Sequence, residues 1–266
     1  MVKTEREHAA DIVRVGRLVF DKGWVAANDG NISIRLDDER VMCTPTGVSK
    51  GMMRVDDIII VDYNGDKISG RLERTSEIKM HLKVYELRED INSVVHAHPP
   101  VSTGFAAAGR ALNTALLPEV VIGLGCIPLA AYGLPGTDAL TDPLVPLIPK
   151  YDALLLGNHG VVSYGTELMQ AYFRMETVEL FARINFVAEM LGGAKALPQV
   201  EVDKLFESRG RYGVQSNATP QPGCPVVAED VTAPAHNAPM GHNEGFYVTR
   251  DELIQLLEEA IRARGG

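Results

Sequence analysis

The sequence is poor in cysteine and has no long apolar run. Its three cysteines include no Cys-x-x-Cys pair, which argues against a zinc site built on thiolates and fits a reducing compartment. No stretch approaches the roughly 18 apolar residues of a membrane span. The charged N-terminus also lacks the apolar segment of a signal peptide. We therefore expect a cytoplasmic protein without a membrane partner.

Positive charge and aromatic side chains are also scarce. The chain has 26 Lys and Arg against 35 Asp and Glu, a formal net charge of −9, and only 6% aromatic residues. Proteins that bind nucleic acids usually carry basic surfaces or aromatic stacking platforms, so a nucleic acid is not an expected partner. The chain has 266 residues, of which 45% are hydrophobic and 23% charged. These values are typical of a folded, soluble protein.

Hydrophobic periodicity predicts alternating helices and strands through most of the chain. Helical spacing marks residues 5–22, 76–88, 101–109 and 166–191. Strand patterns mark residues 32–36, 41–44, 57–62, 94–98, 153–156 and 161–163. Asn64-Gly65 predicts a hairpin turn after the third of these strands. The pattern indicates one α/β domain over residues 1–214.

The composition changes near the C-terminal end. Residues 215–245 are rich in Pro, Gly and Asn and have few long apolar side chains, so we predict a flexible linker. Residues 246–266 contain the capping box Thr249-x-x-Glu252 followed by a stripe of leucines. These features predict an amphipathic C-terminal helix.

Three histidines in two short motifs predict a metal site. His96-Ala97-His98 ends an apolar strand, and side chains at i and i+2 of a strand lie on one face, so both imidazoles can bind one ion. His159 follows another apolar strand in Gly157-Asn158-His159-Gly160, where the glycines permit a sharp turn. The first motif alone is equally compatible with two partly exposed histidines at a strand end, and His159 alone is better explained as a hydrogen-bonded loop histidine.

Glu77 is the fourth candidate ligand. It opens a predicted helix in Thr75-Ser76-Glu77, where an acidic residue also complements the helix dipole. His81, one turn later, could share the site, but its neighbours Leu82 and Tyr85 favour a packed, hydrogen-bonded histidine. Three histidines and one carboxylate suit Zn²⁺, with the carboxylate able to give way to substrate.

Six motifs, in this order along the chain, resemble the class II aldolase/adducin family, in particular its aldolases that act on L-fuculose 1-phosphate. The resemblance covers about residues 5–213, and its motifs are Gly30-Asn31-Ile32-Ser33, Thr44-Pro45-Thr46-Gly47, Thr75-Ser76-Glu77, His96-Ala97-His98-Pro99, Tyr132 to Thr137, and Gly157-Asn158-His159-Gly160. The resemblance implies a three-layer α/β/α sandwich around a mainly antiparallel central sheet. It also implies a homotetramer with active sites between subunits.

The same resemblance implies roles for individual residues. His96, His98 and His159 would bind one Zn²⁺ per subunit, and Glu77 would be a ligand that leaves the metal and acts as the base. The substrate's phosphate would bind where backbone N–H groups, hydroxyls and a helix N-terminus favour an anion. The residues implied for that phosphate pocket are Asn31, Thr46, Gly47, Thr75 and Ser76.

The family's aldolases have two tyrosines at the active site, and this sequence matches only one of them. Tyr212, in Arg211-Tyr212-Gly213, matches the second, which implies a catalytic tyrosine contributed by a neighbouring subunit. The first, a proton donor, is missing, because the corresponding stretch reads Leu116-Leu117-Pro118-Glu119. Glu119 is either its replacement or a surface acid, and the sequence favours neither.

The implied activity is zinc-dependent retro-aldol cleavage of a ketose 1-phosphate, such as L-fuculose 1-phosphate. The products would be dihydroxyacetone phosphate and an aldehyde such as lactaldehyde. Sugar-phosphate 4-epimerases and methylthioribulose-phosphate dehydratases of the same superfamily are the alternatives. Glu77 favours an aldolase over an epimerase, where Asp usually stands, whereas Glu119 leaves the dehydratase open. Adducin-like scaffolds lack the metal histidines.

The C-terminal segment has two interpretations. Residues 246–266 resemble the encapsulation peptides of bacterial microcompartment enzymes, which implies docking on a shell protein and a location inside a microcompartment. The alternative is a helix that packs on the catalytic domain or on a neighbouring subunit.

Overall fold

A computed structural model describes residues 3–214 of the chain. The predicted linker at 215–245 and the predicted helix at 246–266 lie outside the described residues. Within the described part, an eight-stranded sheet has the order β4-β3-β2-β1-β5-β8-β7-β6. Its strands are β1 Asn31–Arg35, β2 Val41–Cys43, β3 Ile59–Val61, β4 Lys67–Ser69, β5 Ser93–Ala97, β6 Leu129–Ala130, β7 Ala153–Leu156 and β8 Gly160–Gly165. All neighbours are antiparallel except β6 and β7, which are parallel.

Seven α-helices accompany the sheet over residues 3–214. They are α1 Glu5–Asp21, α2 Ile78–Leu87, α3 Pro100–Ala107, α4 Pro118–Gly123, α5 Asp138–Thr141, α6 Leu168–Met190 and α7 Gln199–Ser208. The first begins at a capping box in which Thr4 and Glu7 bond each other's backbone N–H groups. None of these described helices has the length and apolar character needed to cross a bilayer.

Each face of the sheet has its own hydrophobic core, because successive strand residues point to opposite faces. Ile32 and Ile34 of β1 pack with buried residues of α1, α3 and α6. Val94 of β5 and Leu154 of β7 belong to the second core, which α2 and the segment around α5 complete. The predicted three-layer α/β/α sandwich around a mainly antiparallel sheet is therefore confirmed.

The predicted elements are found with shifted ends, and some short ones are not predicted. The strand predicted at 57–62 is reduced to Ile59–Val61, because Val55–Asp57 forms a 3₁₀ turn. Asn64-Gly65 does join β3 to β4, as its turn signal indicates. The sequence pattern gives no indication of α4, α5 or α7. The first two have six and four residues, and α7 buries only Val202.

Candidate metal centre

The three predicted ligand histidines lie together at one end of β5 and β7. The ring centroids are 5.0 Å apart for His96 and His98, 4.7 Å for His96 and His159, and 5.3 Å for His98 and His159. One nitrogen of each ring lies within 4.8 Å of one nitrogen of each of the others. A single metal ion could therefore contact all three.

The strand register accounts for this convergence. His96 is the fourth residue of β5 and pairs with Val162 of β8, so it lies beside the turn that joins β7 to β8. That turn presents His159, and its Asn158 has a φ of 51°, a left-handed conformation that asparagine tolerates better than most residues. Two neighbouring strand connections thus bring residues 61 to 63 positions apart in sequence into one cluster.

Glu77 completes the cluster from the other direction. It immediately precedes α2 and is 7% exposed. Its Oε1 is 3.1 Å from His159 Nε2, and its Oε2 is 3.3 Å from His96 Nε2. Oε2 also accepts a hydrogen bond of 2.7 Å from the Asn31 side-chain amide. The carboxylate therefore lies among the histidines, within reach of a shared ion.

The protonation states favour metal binding. Burial lowers the pKa of His96 to about 3, and burial also lowers the pKa of His98. For Glu77, burial opposes ionisation, but the His96 and His159 rings and the Asn31 amide outweigh it and hold the pKa of the carboxyl well below its ordinary value. Neutral imidazoles and an ionised carboxylate are the forms that ligate metals.

The hydrogen-bonding pattern tests whether these residues fit a metal. His96 Nδ1 is 2.9 Å from the Val161 carbonyl and must donate to it, which leaves Nε2 as a free electron-pair donor, as in most metal-bound histidines. Among the described residues, one buried nitrogen at the cluster, His159 Nδ1, has no hydrogen-bond partner. Buried polar atoms of this kind normally have partners. The donor set therefore fits a divalent cation.

Glu77, His98 and His159 line a cleft of about 200 Å³. Four of the five residues predicted for the phosphate pocket line it: Asn31, Thr46, Thr75 and Ser76. Gly47, the fifth, follows Thr46 and has a φ of 73°, which a residue with a Cβ rarely adopts. The structure thus brings the predicted ligands and the predicted phosphate pocket together.

Lys50 forms hydrogen bonds to two of the loops at this cleft. Its side chain is buried, and its Nζ donates to the carbonyls of Asn28 at 3.1 Å and Val48 at 3.0 Å. Asn28 belongs to the loop before β1, and Val48 belongs to the loop after β2. Burial lowers the pKa of the ammonium to about 8. Lys50 lies outside the matched sequence motifs.

Two other cleft residues lie outside the matched motifs. Asn28 and Asp29 line the cleft, and Asp29 Oδ2 lies 3.7 Å from His98 Nδ1. Asn28 and Asp29 stand in the motif Asn28-Asp29-Gly30, which indicates only a turn. Their position next to Gly30-Asn31, a matched motif, is the signal that could have identified them.

Two candidate residues lie outside the cleft of their own chain. Tyr212, in the 3₁₀ turn Arg209–Tyr212, is 67% exposed. That turn is held to α4 by Arg209, which donates to the carbonyls of Ile122 and Gly123. Glu119 is exposed in the first turn of α4. Neither residue lines the cleft beside the three histidines and Glu77.

Comparisons with known proteins agree with this fold and these residues. Residues 10–186 match the family model of the Class II Aldolase and Adducin N-terminal domain. The L-fuculose phosphate aldolase of Methanococcus maripaludis is 35% identical over 181 residues, covering 68% of this chain and 97% of that protein. The 3-oxo-tetronate 4-phosphate decarboxylase of Pectobacterium atrosepticum is 31% identical over 191 residues, covering 70% and 87%.

A solved structure extends the likeness to three dimensions. The structure of an L-fuculose 1-phosphate aldolase superposes with a TM-score of 0.70 at 27% identity, covering 75% of this chain and 94% of that one. The family match spans well over half of the chain and includes all three histidines and Glu77. We conclude that the chain belongs to the class II aldolase and adducin family.

Proposed function

We propose that this enzyme is a zinc-dependent aldolase that cleaves a ketose 1-phosphate, such as L-fuculose 1-phosphate, into dihydroxyacetone phosphate and an aldehyde such as lactaldehyde. The observation that carries the proposal is that the histidine cluster and Glu77 share one cleft with the predicted phosphate pocket. A phosphate held there would place the sugar's C2 and C3 beside the cluster.

The metal would be held by His96, His98 and His159, with Glu77 as an exchangeable fourth ligand. Three nitrogen donors and one carboxylate are a typical donor set for Zn²⁺. When bound, Zn²⁺ would act as a Lewis acid that stabilises the negative charge developing on the substrate oxygens.

The chain's own residues bind the phosphate and move the proton. The hydroxyls of Thr46, Thr75 and Ser76 and the N-terminal end of α2 would hold the phosphate, since unpaired N–H groups at a helix start favour an anion. Cleavage breaks C3–C4 as the C4 hydroxyl loses its proton to the base, releases the aldehyde and leaves an enediolate on the three-carbon fragment. Glu77 would then carry the proton that C3 takes up to form dihydroxyacetone phosphate.

A homotetramer with shared active sites is part of the proposal. The outward side of α6 supports an assembly, because its Phe173, Leu180 and Val187 are 53%, 55% and 53% exposed. Large apolar patches of this kind usually mark contact surfaces. Tyr212 of a neighbouring subunit would reach the aldehyde end of the substrate.

We also propose that residues 246–266 dock on the shell of a bacterial microcompartment, where a reactive aldehyde product would be confined. The support is the amphipathic pattern of the sequence alone. Fusing residues 246–266 to a fluorescent protein in cells that express the cognate shell should give discrete foci. Diffuse fluorescence there would contradict the docking.

Product analysis on a panel of sugar phosphates tests the reaction. The zinc-loaded protein should release dihydroxyacetone phosphate from L-fuculose 1-phosphate or from the rhamnulose or ribulose 1-phosphates. Carbon dioxide release from 3-oxo-tetronate 4-phosphate, epimerisation at C4, or dehydration of methylthioribulose 1-phosphate, without cleavage of any ketose 1-phosphate, would replace the proposal by the corresponding activity.

The base assignment has its own test. Glu77→Gln keeps the shape of the side chain but cannot accept a proton at neutral pH. Turnover should fall at least 100-fold, the usual range for a general base. Full turnover by this variant would show that another group carries the proton.

A further inference from the structure

A chain of buried hydrogen bonds runs from the core to Glu77. The Tyr85 hydroxyl and Ser33 Oγ are 2.7 Å apart, and Ser33 Oγ is 2.7 Å from His81 Nδ1. His81 Nε2 is 2.5 Å from Asn31 Oδ1, and Asn31 Nδ2 donates to Glu77 Oε2 at 2.7 Å. All five residues are buried, with Ser33 and His81 fully inaccessible.

The charge of Glu77 dictates the direction of the bonds next to it. An ionised carboxylate only accepts hydrogen bonds, so the Asn31 amide must face it with its NH₂ group. The Asn31 carbonyl oxygen then faces His81. Because that oxygen also only accepts, His81 must carry its proton on Nε2.

The same reasoning fixes the directions of the hydrogen bonds farther from Glu77. Burial lowers the pKa of His81 to about 4, so the ring is neutral and its Nδ1 is an acceptor. Ser33 must therefore donate to Nδ1, and its oxygen is left to accept from the Tyr85 hydroxyl. Every hydrogen bond is donated toward Glu77, and each has one allowed direction.

We infer that His81 is a positioning residue that, as its Nε2–H tautomer, locks the Asn31 amide so that its NH₂ holds Oε2 of Glu77. The opposite tautomer would favour a flipped amide, with its oxygen 2.7 Å from the carboxylate oxygen and no proton between them. The fixed amide holds one carboxylate oxygen and leaves Oε1 facing the histidine cluster. Because Glu77 is the proposed base, this role rests on the proposed function.

The tautomer can be observed directly. Neutron diffraction from crystals of the perdeuterated, zinc-loaded protein should show deuterium on His81 Nε2 and none on Nδ1. It should also show the ND₂ group of Asn31 facing Glu77. Deuterium on Nδ1 alone, or an ND₂ group facing His81, would overturn the inference.

Ser33→Ala tests the functional consequence, because it removes the only donor to His81 Nδ1 in the chain of bonds. Loss of one outer partner of a metal site commonly costs 10- to 100-fold, so we expect kcat to fall about tenfold with zinc content unchanged. Ser163→Ala is the matched control, since Ser163 is equally inaccessible and donates only to the Ala171 carbonyl. It should retain kcat within twofold.

A merely structural role predicts a different result. Both variants lose one buried hydroxyl, so both should melt a few degrees lower. Equal kcat values for the two would contradict the positioning role. If Ser33→Ala fails to fold, the neutron result on the native protein decides alone. Native protein without aldolase activity but with the Nε2–H tautomer would refute the proposed function and leave the hydrogen-bond assignment standing.

Discussion

Gly160 lies directly against the ring of His98. A Cβ added to Gly160 would stand 2.5 Å from His98 Cδ2 and 2.6 Å from the Ala97 carbonyl oxygen. No real Cβ tolerates such distances, so one or both groups must move when Gly160 is replaced. The glycine is required because β8 starts beside the end of β5, where the candidate ligands His96 and His98 lie.

Gly160→Ala should therefore displace His98 and weaken zinc binding at least tenfold, in the range seen for disturbed metal-site geometry. Competition with a chromophoric chelator measures the affinity. Gly104→Ala is the matched control, because a Cβ at Gly104 in α3 meets nothing within 4 Å. That variant should bind zinc normally and gain up to about 1 kcal/mol of stability from its better helix propensity. Unchanged zinc affinity in Gly160→Ala would show that His98 is not a ligand.

Metal removal should destabilise the fold as well as stop the reaction. A ligand at 100 times its Kd stabilises the native state by about 2.7 kcal/mol, so zinc at that level should raise the melting temperature and a chelator should reverse the shift. His159→Ala should lose most of the shift. His8→Ala, on α1 and away from the cluster, should keep it. Calorimetry with and without zinc compares the three proteins.

Lys50 should make stability depend on pH between its two pKa values. Burial lowers the pKa of the ammonium from its ordinary value of 10.5 to about 8 in the folded protein. Below pH 8 both states are protonated, so the energetic cost of burying the charge is constant. Between these values the unfolded state binds more protons, so stability rises with pH.

The rise amounts to about 3 kcal/mol across that window, at 1.36 kcal/mol for each pH unit. Lys50→Met lacks the titrating group, so its stability should change less over the same range. Urea titrations from pH 7 to pH 10.5 on both proteins isolate the difference. Parallel pH profiles for the two would mean that the folded-state pKa of Lys50 is not lowered.

Mixed oligomers test whether active sites are shared. Tyr212 is exposed and lies outside the cleft of its own chain. If each active site combines Glu77 of one subunit with Tyr212 of a neighbour, Tyr212→Phe and Glu77→Gln should damage different halves of one site. Co-expressing the two inactive variants should restore activity in about one site in four by random mixing in a symmetric oligomer. Each variant expressed alone gives the baseline activity. No recovery would place Tyr212 in the same half-site as Glu77 or outside the site.

The sequence predicts the site better than its surroundings, for physical reasons. His96 and His98 are two residues apart on one strand, so local geometry alone brings them together. Glu77 and His159 carry distinctive flanking motifs. Lys50 lies outside the matched motifs, and Ser33 lies in one of them without an implied role, because their roles depend on how β1 and β2 pair and on which loop carbonyls lie nearby. Those contacts exist only once the sheet has formed.

The order of the strands in the sheet is also not predictable from the sequence pattern. Alternation in β1 and continuous apolar runs in β5 and β7 predict strands, but no pattern states that β5 lies between β1 and β8. That placement pairs Asn31 with His96 across two antiparallel strands. Asn31, which donates a hydrogen bond to the candidate base Glu77, is therefore placed by its strand partner His96, 65 positions away in the sequence.

The two carboxylates of the cleft, Asp29 and Glu77, have a consequence for the order of events during turnover. A sugar phosphate that approaches the metal-free cleft meets negative charge, within a molecule whose net charge is already −9. A divalent cation on the histidines would offset these two negative charges and remove the repulsion at that end of the cleft. Substrate binding should therefore be ordered, with the cation first and the sugar second, so that the resting enzyme recruits its substrate only when loaded.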